Sequence, residues 1–170
     1  MKSLRYILLA AILIISVFSV AVYSGCNKNK CHNVLCLNQG VCDGGTCVCP
    51  VGFEGIRCGT LSRDKFIYNY NGYDSCEYHS DSAGRNVYSI HLIAVLLDSS
   101  TMTLTNLMNN PADSATCTIQ STDSFSFIGS NNSTTYNGWG KLSNDSLWLE
   151  YHVQHDTTSY DCKYFGQSLR

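Results

Sequence analysis

The sequence predicts a small disulfide-rich module followed by an all-β domain of about eight antiparallel strands, arranged as an up-and-down barrel or a two-layer sandwich. Seven of the ten cysteines lie between Cys26 and Cys58, which indicates a segment held together by disulfides. The later part of the chain contains both tryptophans and most of the tyrosines, and its apolar side chains recur at alternate positions. Period two is typical of half-buried strands, and the turn-forming clusters between these runs favour hairpins.

The first 25 residues have the composition of a secretory signal. Lys2 and Arg5 give a positive start, an apolar run covers residues 6–22, and small residues stand directly before Cys26. A charged start, an apolar core and a small-residue cleavage site predict export with removal of residues 1–25. A retained anchor is the alternative, because the run is about as long as the shortest membrane-spanning helix.

The segment Tyr23-Ser24-Gly25-Cys26 resembles a lipobox, the site at which Gram-negative bacteria attach lipid to a cysteine and cleave before it. The resemblance implies that the chain is held to the membrane by lipid on Cys26 and is displayed at the cell surface, on the outer membrane if the source is Gram-negative. Several acyl chains give durable anchoring. The alternative is cleavage near Ser24, which would leave a secreted protein with Cys26 free to form a disulfide.

Composition also excludes some partners. The net charge is −2 and no basic run occurs, so we expect no nucleic-acid binding, which needs clustered Lys and Arg. All ten cysteines follow the predicted signal, which indicates an oxidising compartment.

Six cysteines between positions 31 and 58 are separated by 4, 5, 4, 1 and 8 residues, with Gly40 before the third and Gly55 in the last loop. This arrangement resembles the EGF-like family, and the stretch from Cys47 to Cys58 matches the family's C-terminal signature. The resemblance implies an EGF-like domain over residues 26–59, whereas the cysteines alone would allow 15 pairings. The pairs that the resemblance implies are Cys31–Cys42, Cys36–Cys47 and Cys49–Cys58.

A metal site is the rival interpretation of a cysteine cluster. Structural zinc sites favour Cys-x2-Cys pairs in reducing compartments, and neither condition applies here. The calcium-binding type of the EGF-like family carries acidic residues just before its first cysteine, whereas this chain has Asn27, Lys28, Asn29 and Lys30. Lysines repel a cation that needs several oxygen ligands, so we expect no calcium, no other metal and no cofactor.

The second domain is predicted over residues 64–170, after a short linker at residues 59–63. We interpret Gly138-Trp139-Gly140 as a tight bend within one of its strands. The expected strands lie near residues 66–73, 88–96, 102–105, 116–120, 124–127, 136–142, 147–154 and 160–165.

The order of signal, lipobox-like cysteine, cysteine module and Tyr-rich β-domain resembles small surface lipoproteins of Gram-negative bacteria. In these proteins a segment with Gly followed by Ser-Cys opens the β-domain and a cysteine in the last strand closes it. Gly72, Ser75 and Cys76 fit the opening, and Cys162 fits the close. The resemblance implies a Cys76–Cys162 bond, with Cys117 unpaired among inward residues as a small hydrophobic side chain.

Catalytic motifs are missing from the sequence. It has no Gly-x-Ser-x-Gly elbow, no His-Glu-x-x-His and no phosphate-binding glycine loop, so we expect no enzyme. Trp139 and Trp148 are the candidate binding surface instead. Leu147 and Leu149 should point inward, which leaves Trp148 facing outward, where it binds a partner or packs under a loop or the cysteine module.

These observations predict a membrane-anchored surface lipoprotein that acts as a non-catalytic binding or adhesion module for a protein or carbohydrate partner. One alternative is a small-ligand carrier with an open, lipocalin-like barrel. A second is a secreted eukaryotic EGF-type protein.

Overall fold

The computed structural model describes residues 30–77, 87–96 and 98–169. Within these ranges the chain forms twelve β-strands and two short 3-10 helices. Neither of these helices has the length and apolar character needed to span a bilayer. The predicted signal at residues 1–25 and the predicted lipid site at Cys26 lie outside the described residues.

Residues 31–58, here called the disulfide module, contain very short strands and three disulfides. β1 (Val41–Asp43) pairs with β2 (Thr46–Val48), and β3 (Phe53–Glu54) pairs with β4 (Thr60–Leu61), both antiparallel. A segment this short buries too little apolar surface to hold its fold without covalent links. The disulfides are Cys31–Cys42, Cys36–Cys47 and Cys49–Cys58, the pairs that the resemblance to the EGF-like family implies.

The remaining eight strands form a closed antiparallel barrel. Each strand pairs with its neighbours in sequence, and the last strand pairs with the first, so every strand has two partners. Closure gives hydrogen-bond partners to the backbone N–H and C=O groups that an open sheet would leave unpaired at its edges. Of the two architectures expected for this part of the chain, the barrel is therefore the one formed. Its strands are β5 (Asn69–Cys76), β6 (Tyr88–Ala94), β7 (Thr101–Thr105), β8 (Ser114–Ile119), β9 (Ser124–Asn131), β10 (Thr134–Ser143), β11 (Ser146–His155) and β12 (Thr158–Ser168).

Alternating side chains separate the interior of the barrel from its surface. In β11, Leu147, Leu149 and Val153 are buried, whereas Trp148 and Glu150 between them are exposed. The same period fills the interior from all eight strands with large side chains. The buried core consists of Phe66, Tyr70, Tyr88, Ile90, Leu92, Met102, Leu104, Leu107, Ala115, Cys117, Ile119, Phe125, Phe127, Tyr136, Leu147, Leu149, Tyr151, Val153, Cys162 and Tyr164.

Two details of the predicted strands differ from the structure. Leu96 was expected to continue the inward alternation of β6, but the strand ends at Ala94 and Leu96 is 87% exposed. Gly138-Trp139-Gly140 was interpreted as a bend, but it is paired on both sides in the middle of β10. The glycines are needed for close packing, because a Cβ at position 138 would lie 2.5 Å from the Cβ of Tyr151.

The barrel is closed by a disulfide between its first and last strands. Cys76 in β5 lies directly opposite Cys162 in β12, with the two Cα atoms 4.1 Å apart. This is the bond expected from the resemblance of the chain to surface lipoproteins. Neighbouring residues on antiparallel strands are close enough for a cross-strand link, so the bond adds to the hydrogen-bonded ladder without displacing it.

The two ends of the barrel differ in what lies beside them. At one end, called the module end, β5 begins and β12 ends, and Phe66 packs edge-to-face on Phe125 with ring centroids 5.4 Å apart. Leu169 donates a backbone hydrogen bond to Asn69 at the same end. At the opposite end, called the far end, β5 finishes beside the Cys76–Cys162 bond. The chain therefore enters and leaves the barrel at the module end.

The segment expected as a linker is folded against both parts. Residues 60–61 are β4, and the first 3-10 helix (Ser62–Lys65) follows at once. The Ser62 amide donates to the carbonyl of Gly52 at 2.9 Å, and Lys65 forms a 2.7 Å ion pair with Glu54. The path from the disulfide module into β5 is therefore held by hydrogen bonds and an ion pair to the module itself.

Arg63 connects the same helix to the barrel. Its Nη1 donates to the carbonyl of Val95 at 2.7 Å and also to the carbonyl of Asp98, both between β6 and β7. Its side chain is only 13% exposed, so these bonds are partly removed from competition with water.

Candidate binding surface

An aromatic row crosses the outside of the barrel. Trp148 of β11 lies directly opposite Phe165 of β12, which lies directly opposite Tyr73 of β5. The Trp148 and Phe165 rings are 4.3 Å apart between centroids, and those of Tyr73 and Phe165 are 6.3 Å apart. Strands of a sheet are about 4.8 Å apart, so the register brings three rings into contact although they are far apart in sequence.

Trp148 is exposed, as the alternation in β11 predicts. Half of its surface remains accessible, and its ring packs on Phe165. Trp139 of β10, the other tryptophan singled out from the sequence, is 45% exposed. Cross-strand stacking explains why Trp148 contacts Phe165, but it does not explain why so much indole surface remains in water.

A polar row runs beside the aromatic row, two residues nearer the far end on each strand. It consists of Glu150 of β11, Lys163 of β12 and Ser75 of β5, which are also directly opposite one another. Lys163 and Glu150 form a 3.4 Å ion pair. Trp139 lies opposite Glu150 and continues this row onto β10.

The two rows line a surface groove of about 490 Å³. Lys141 of β10 lies opposite Trp148 and borders the groove, and its Nζ is 3.6 Å from the carboxylate of Asp123. We call this groove and its two rows the aromatic face. Its volume is within the range of small-ligand sites, which combine apolar walls with a few polar groups.

The side of the barrel formed by β7, β8 and β9 has a different surface. A second groove there is lined mainly by Ser and Thr side chains of β7, β8, β9 and β10, together with Ile128. Ile128 is 68% exposed and has no aromatic neighbour among the residues that line this groove. Of these two grooves, only the one formed by β5 and β10–β12 has aromatic lining residues.

No protein-family model matches the chain, and no curated protein matches it significantly. The aromatic face therefore has to be interpreted from its own geometry.

A partly buried acid lies inside the barrel near the far end. Asp74 accepts hydrogen bonds from the hydroxyl groups of Tyr88 and Tyr151, the latter at 2.9 Å. Burial raises the pKa of the Asp74 carboxyl, and the two tyrosine hydrogen bonds oppose that shift. Burial and the nearby carboxylate also raise the pKa of each tyrosine. Both carboxylate oxygens have donors, so the cluster acts as an internal polar network.

Asp113 forms a second polar cluster at the same end. Its side chain is 2% exposed and accepts from Tyr136 at 2.5 Å and from the amide nitrogen of Asn131 at 2.7 Å. Neither cluster was singled out from the sequence. A signal for Asp74 was present, because it lies two positions before Cys76 and so shares its inward face.

Cys117 is buried in the core and is free, as expected. Burial in apolar surroundings raises the pKa of its thiol to about 12. In the described part of the chain, no three His, Cys, Asp or Glu side chains are grouped closely enough to hold a metal ion.

Proposed function

We propose that this chain is a cell-surface binding module, in which the outside of the barrel contacts the partner and the disulfide module connects the barrel to the membrane. The observation that carries this proposal is the aromatic face, where Trp139 and Trp148 remain about half exposed and Trp148 packs on Phe165. Exposed aromatic side chains grouped with a few polar groups are typical of binding sites. No catalytic step is part of the proposal.

The filled interior counts against a small-ligand carrier. A carrier needs an open barrel, whereas large side chains such as Phe125, Phe127 and Tyr164 are buried in the centre. At Gly140 even one added Cβ would overlap the Phe125 ring and lie 2.8 Å from Leu149. Binding on the outer face agrees better with this packing.

We assign residues 26–59 to an EGF-like domain. The spacing of its six cysteines supports this assignment, as do the three disulfides, which join first to third, second to fourth and fifth to sixth. A compact covalent unit close to the predicted lipid site would keep the barrel beyond the membrane surface. Only four residues separate Cys26 from Cys31.

Membrane anchoring is tested by the mass of the mature N-terminus. We expect a diacylglycerol group on Cys26 and no residues before it, because the 23–26 segment resembles a lipobox. The matched control is Cys26→Ser, which should abolish acylation and release the protein from the membrane fraction. A mature chain whose Cys26 carries no lipid would contradict the lipoprotein assignment.

Binding is tested by displaying the full chain on cells and measuring adhesion to surfaces coated with glycoproteins. We expect adhesion that the Trp139→Ala and Trp148→Ala double variant loses and that Ile128→Ala retains. Ile128 is the control because it is an exposed apolar residue of β9 that does not line the groove of the aromatic face. Equal adhesion by all three chains would contradict a role for the aromatic face.

A further inference from the structure

We infer that the aromatic face binds a neutral oligosaccharide. This inference rests on the proposed binding function and adds the chemical class of the partner. It follows from three properties of the face, which are its pairing of an apolar row with a polar row, its charge and its size.

The two rows match a ligand that has one apolar side and one hydroxylated edge. Trp148 and Phe165 are in contact, and their planes are inclined by 53°, so they offer two ring surfaces at an angle. Glu150 and Lys163 lie about 7 Å from these rings toward the far end, since two residues of a strand span that distance. A pyranose ring has this character, with C–H groups for the aromatic rings and hydroxyl groups for the carboxylate and the ammonium group.

The charges of the face are paired. The charged side chains that line the groove are Lys141, Lys163 and Glu150. Lys163 pairs with Glu150 at 3.4 Å, and Lys141 lies 3.6 Å from Asp123 beyond the groove. The groove has one more lysine than carboxylate, and Asp123 beyond it balances that excess, so like charges are not clustered here. An anionic lipid surface or a strongly charged peptide needs clustered charge of the opposite sign. Hydroxyl groups can bind to either member of an ion pair, so a neutral polyol suits this surface.

The size of the face favours a short ligand over a folded protein. A stable protein–protein interface takes about 20–30 residues from each side. The groove has eleven lining residues and a volume of about 490 Å³. A short oligosaccharide lying across β10, β11, β12 and β5 would contact both rows at once.

Direct binding is measured with the full mature chain, kept in a zwitterionic detergent because detergents with sugar headgroups would compete. The probes are cellotetraose, mannotetraose and the tetramer of N-acetylglucosamine, together with a wider array of neutral glycans, and tetragalacturonic acid is the acidic comparison. We expect a saturable change in tryptophan fluorescence with a neutral probe, because Trp139 and Trp148 are the only tryptophans. Failure of every neutral glycan, or preference for the acidic one, overturns the inference.

Variants locate the site. Trp148→Ala should weaken binding by about 30-fold, which is typical of a central aromatic contact. Ile128→Ala should leave the affinity unchanged. Because Trp148 also packs on Phe165, a second variant, Glu150→Gln with Lys163→Met, tests the face without removing an aromatic contact. It should weaken neutral-sugar binding while the unfolding transition stays in place. Unchanged affinity in this variant overturns the role of the polar row.

A periodate experiment separates this inference from the proposed function. Mild periodate cleaves the vicinal diols of glycans on a glycoprotein-coated surface and leaves the protein backbone. We expect periodate to abolish the adhesion that depends on Trp139 and Trp148. If that adhesion survives periodate, the partner is a protein, the sugar inference fails and the proposed binding function stands. If neither the untreated nor the periodate-treated surface supports adhesion that depends on the two tryptophans, the sugar inference and the proposed binding function both fail.

Discussion

At the scale of single residues, Asp74 makes the stability of the barrel depend on pH. Its carboxyl has an ordinary pKa of 3.8, and burial raises that pKa in the folded state. Between these two pKa values the folded chain binds more protons than the unfolded chain, so stability falls as pH rises. Asp74→Asn keeps a hydrogen-bond acceptor for the two tyrosines and cannot titrate.

We therefore expect Asp74→Asn to gain stability relative to the unmodified chain as the pH rises from about 3 to about 7. Urea unfolding at a series of pH values, followed by tryptophan fluorescence, measures the difference. Asp43→Asn is the control, because Asp43 is an exposed acid in the disulfide module. Two stability curves that stay parallel over this pH range would contradict the role assigned to burial.

Cys117 gives a second prediction at this scale. Its thiol is buried, and its pKa of about 12 leaves almost no thiolate near pH 8. We expect iodoacetamide to leave Cys117 unmodified in the folded protein and to alkylate it in urea without reductant. Peptide mass mapping measures the adduct, and Cys117→Val should remove it from the urea sample. Rapid alkylation under native conditions would show that the core opens readily around β8.

At the scale of elements, the Cys76–Cys162 bond stabilises the pairing of β12 with β5. The two cysteines are 86 residues apart in sequence, so the bond strongly restricts the unfolded chain. The loop-entropy relation gives about 4–5 kcal/mol for a loop of that length. We expect Cys76→Ala with Cys162→Ala to lower the free energy of unfolding by an amount of that order, measured by urea denaturation.

The matched control is the pair Cys49→Ala and Cys58→Ala. These residues are 9 apart in sequence and lie in the disulfide module, whereas both tryptophans lie in the barrel. The transition observed by tryptophan fluorescence should therefore shift much less in the control. A larger shift in the control would mean that the module, and not closure of the barrel, determines its stability.

The register between strands shows how far sequence reasoning reaches. Alternation in β11 placed Trp148 on the outside, as the structure has it. The β10 residues opposite Trp148 could have been found by counting back from the two-residue turn at Asn144-Asp145, where both residues have positive φ. The position of Phe165 opposite Trp148 could have been found by the same count from the turn at Asp156-Thr157, which the sequence analysis did not identify as a turn.

Tyr73 was harder to place because no turn connects β12 to β5. Its position opposite Phe165 follows only if the sheet closes and Cys76 faces Cys162, since both residues lie three positions from those cysteines. Long-range closure could not be read from alternation, which was equally compatible with a sandwich. In the polar row, the position of Ser75 depends on closure in the same way, whereas Glu150 and Lys163 are opposite each other across the β11–β12 hairpin.

At the scale of the whole molecule, Arg63 joins the path from the disulfide module to the loop between β6 and β7. Its two hydrogen bonds to the carbonyls of Val95 and Asp98 span 32 and 35 residues of sequence. We expect Arg63→Met to speed amide hydrogen exchange in the β6–β7 loop and at Ser62, because the loop loses its donors. Hydrogen exchange with mass spectrometry measures the change.

Arg57→Met is the control for this experiment. Arg57 donates from Nε to the carbonyl of Leu35, a bond that lies wholly within the disulfide module. Its loss should leave exchange in the β6–β7 loop unchanged. If both variants affect that loop equally, the connection between module and barrel is more diffuse than a single arginine contact.

The hydrogen bond between Leu169 and Asn69 has a consequence for the topology of the barrel. The first and last strands meet there, so the order of the eight strands is cyclic and no strand is obliged to come first. A circularly permuted barrel, joined from 169 to 69 without residues 1–68 and reopened at the exposed Asn132-Ser133 hairpin, would retain six of the seven original hairpin connections, and the ladder between β12 and β5 would gain a new one. The ladder between β9 and β10 would become the seam between the new termini.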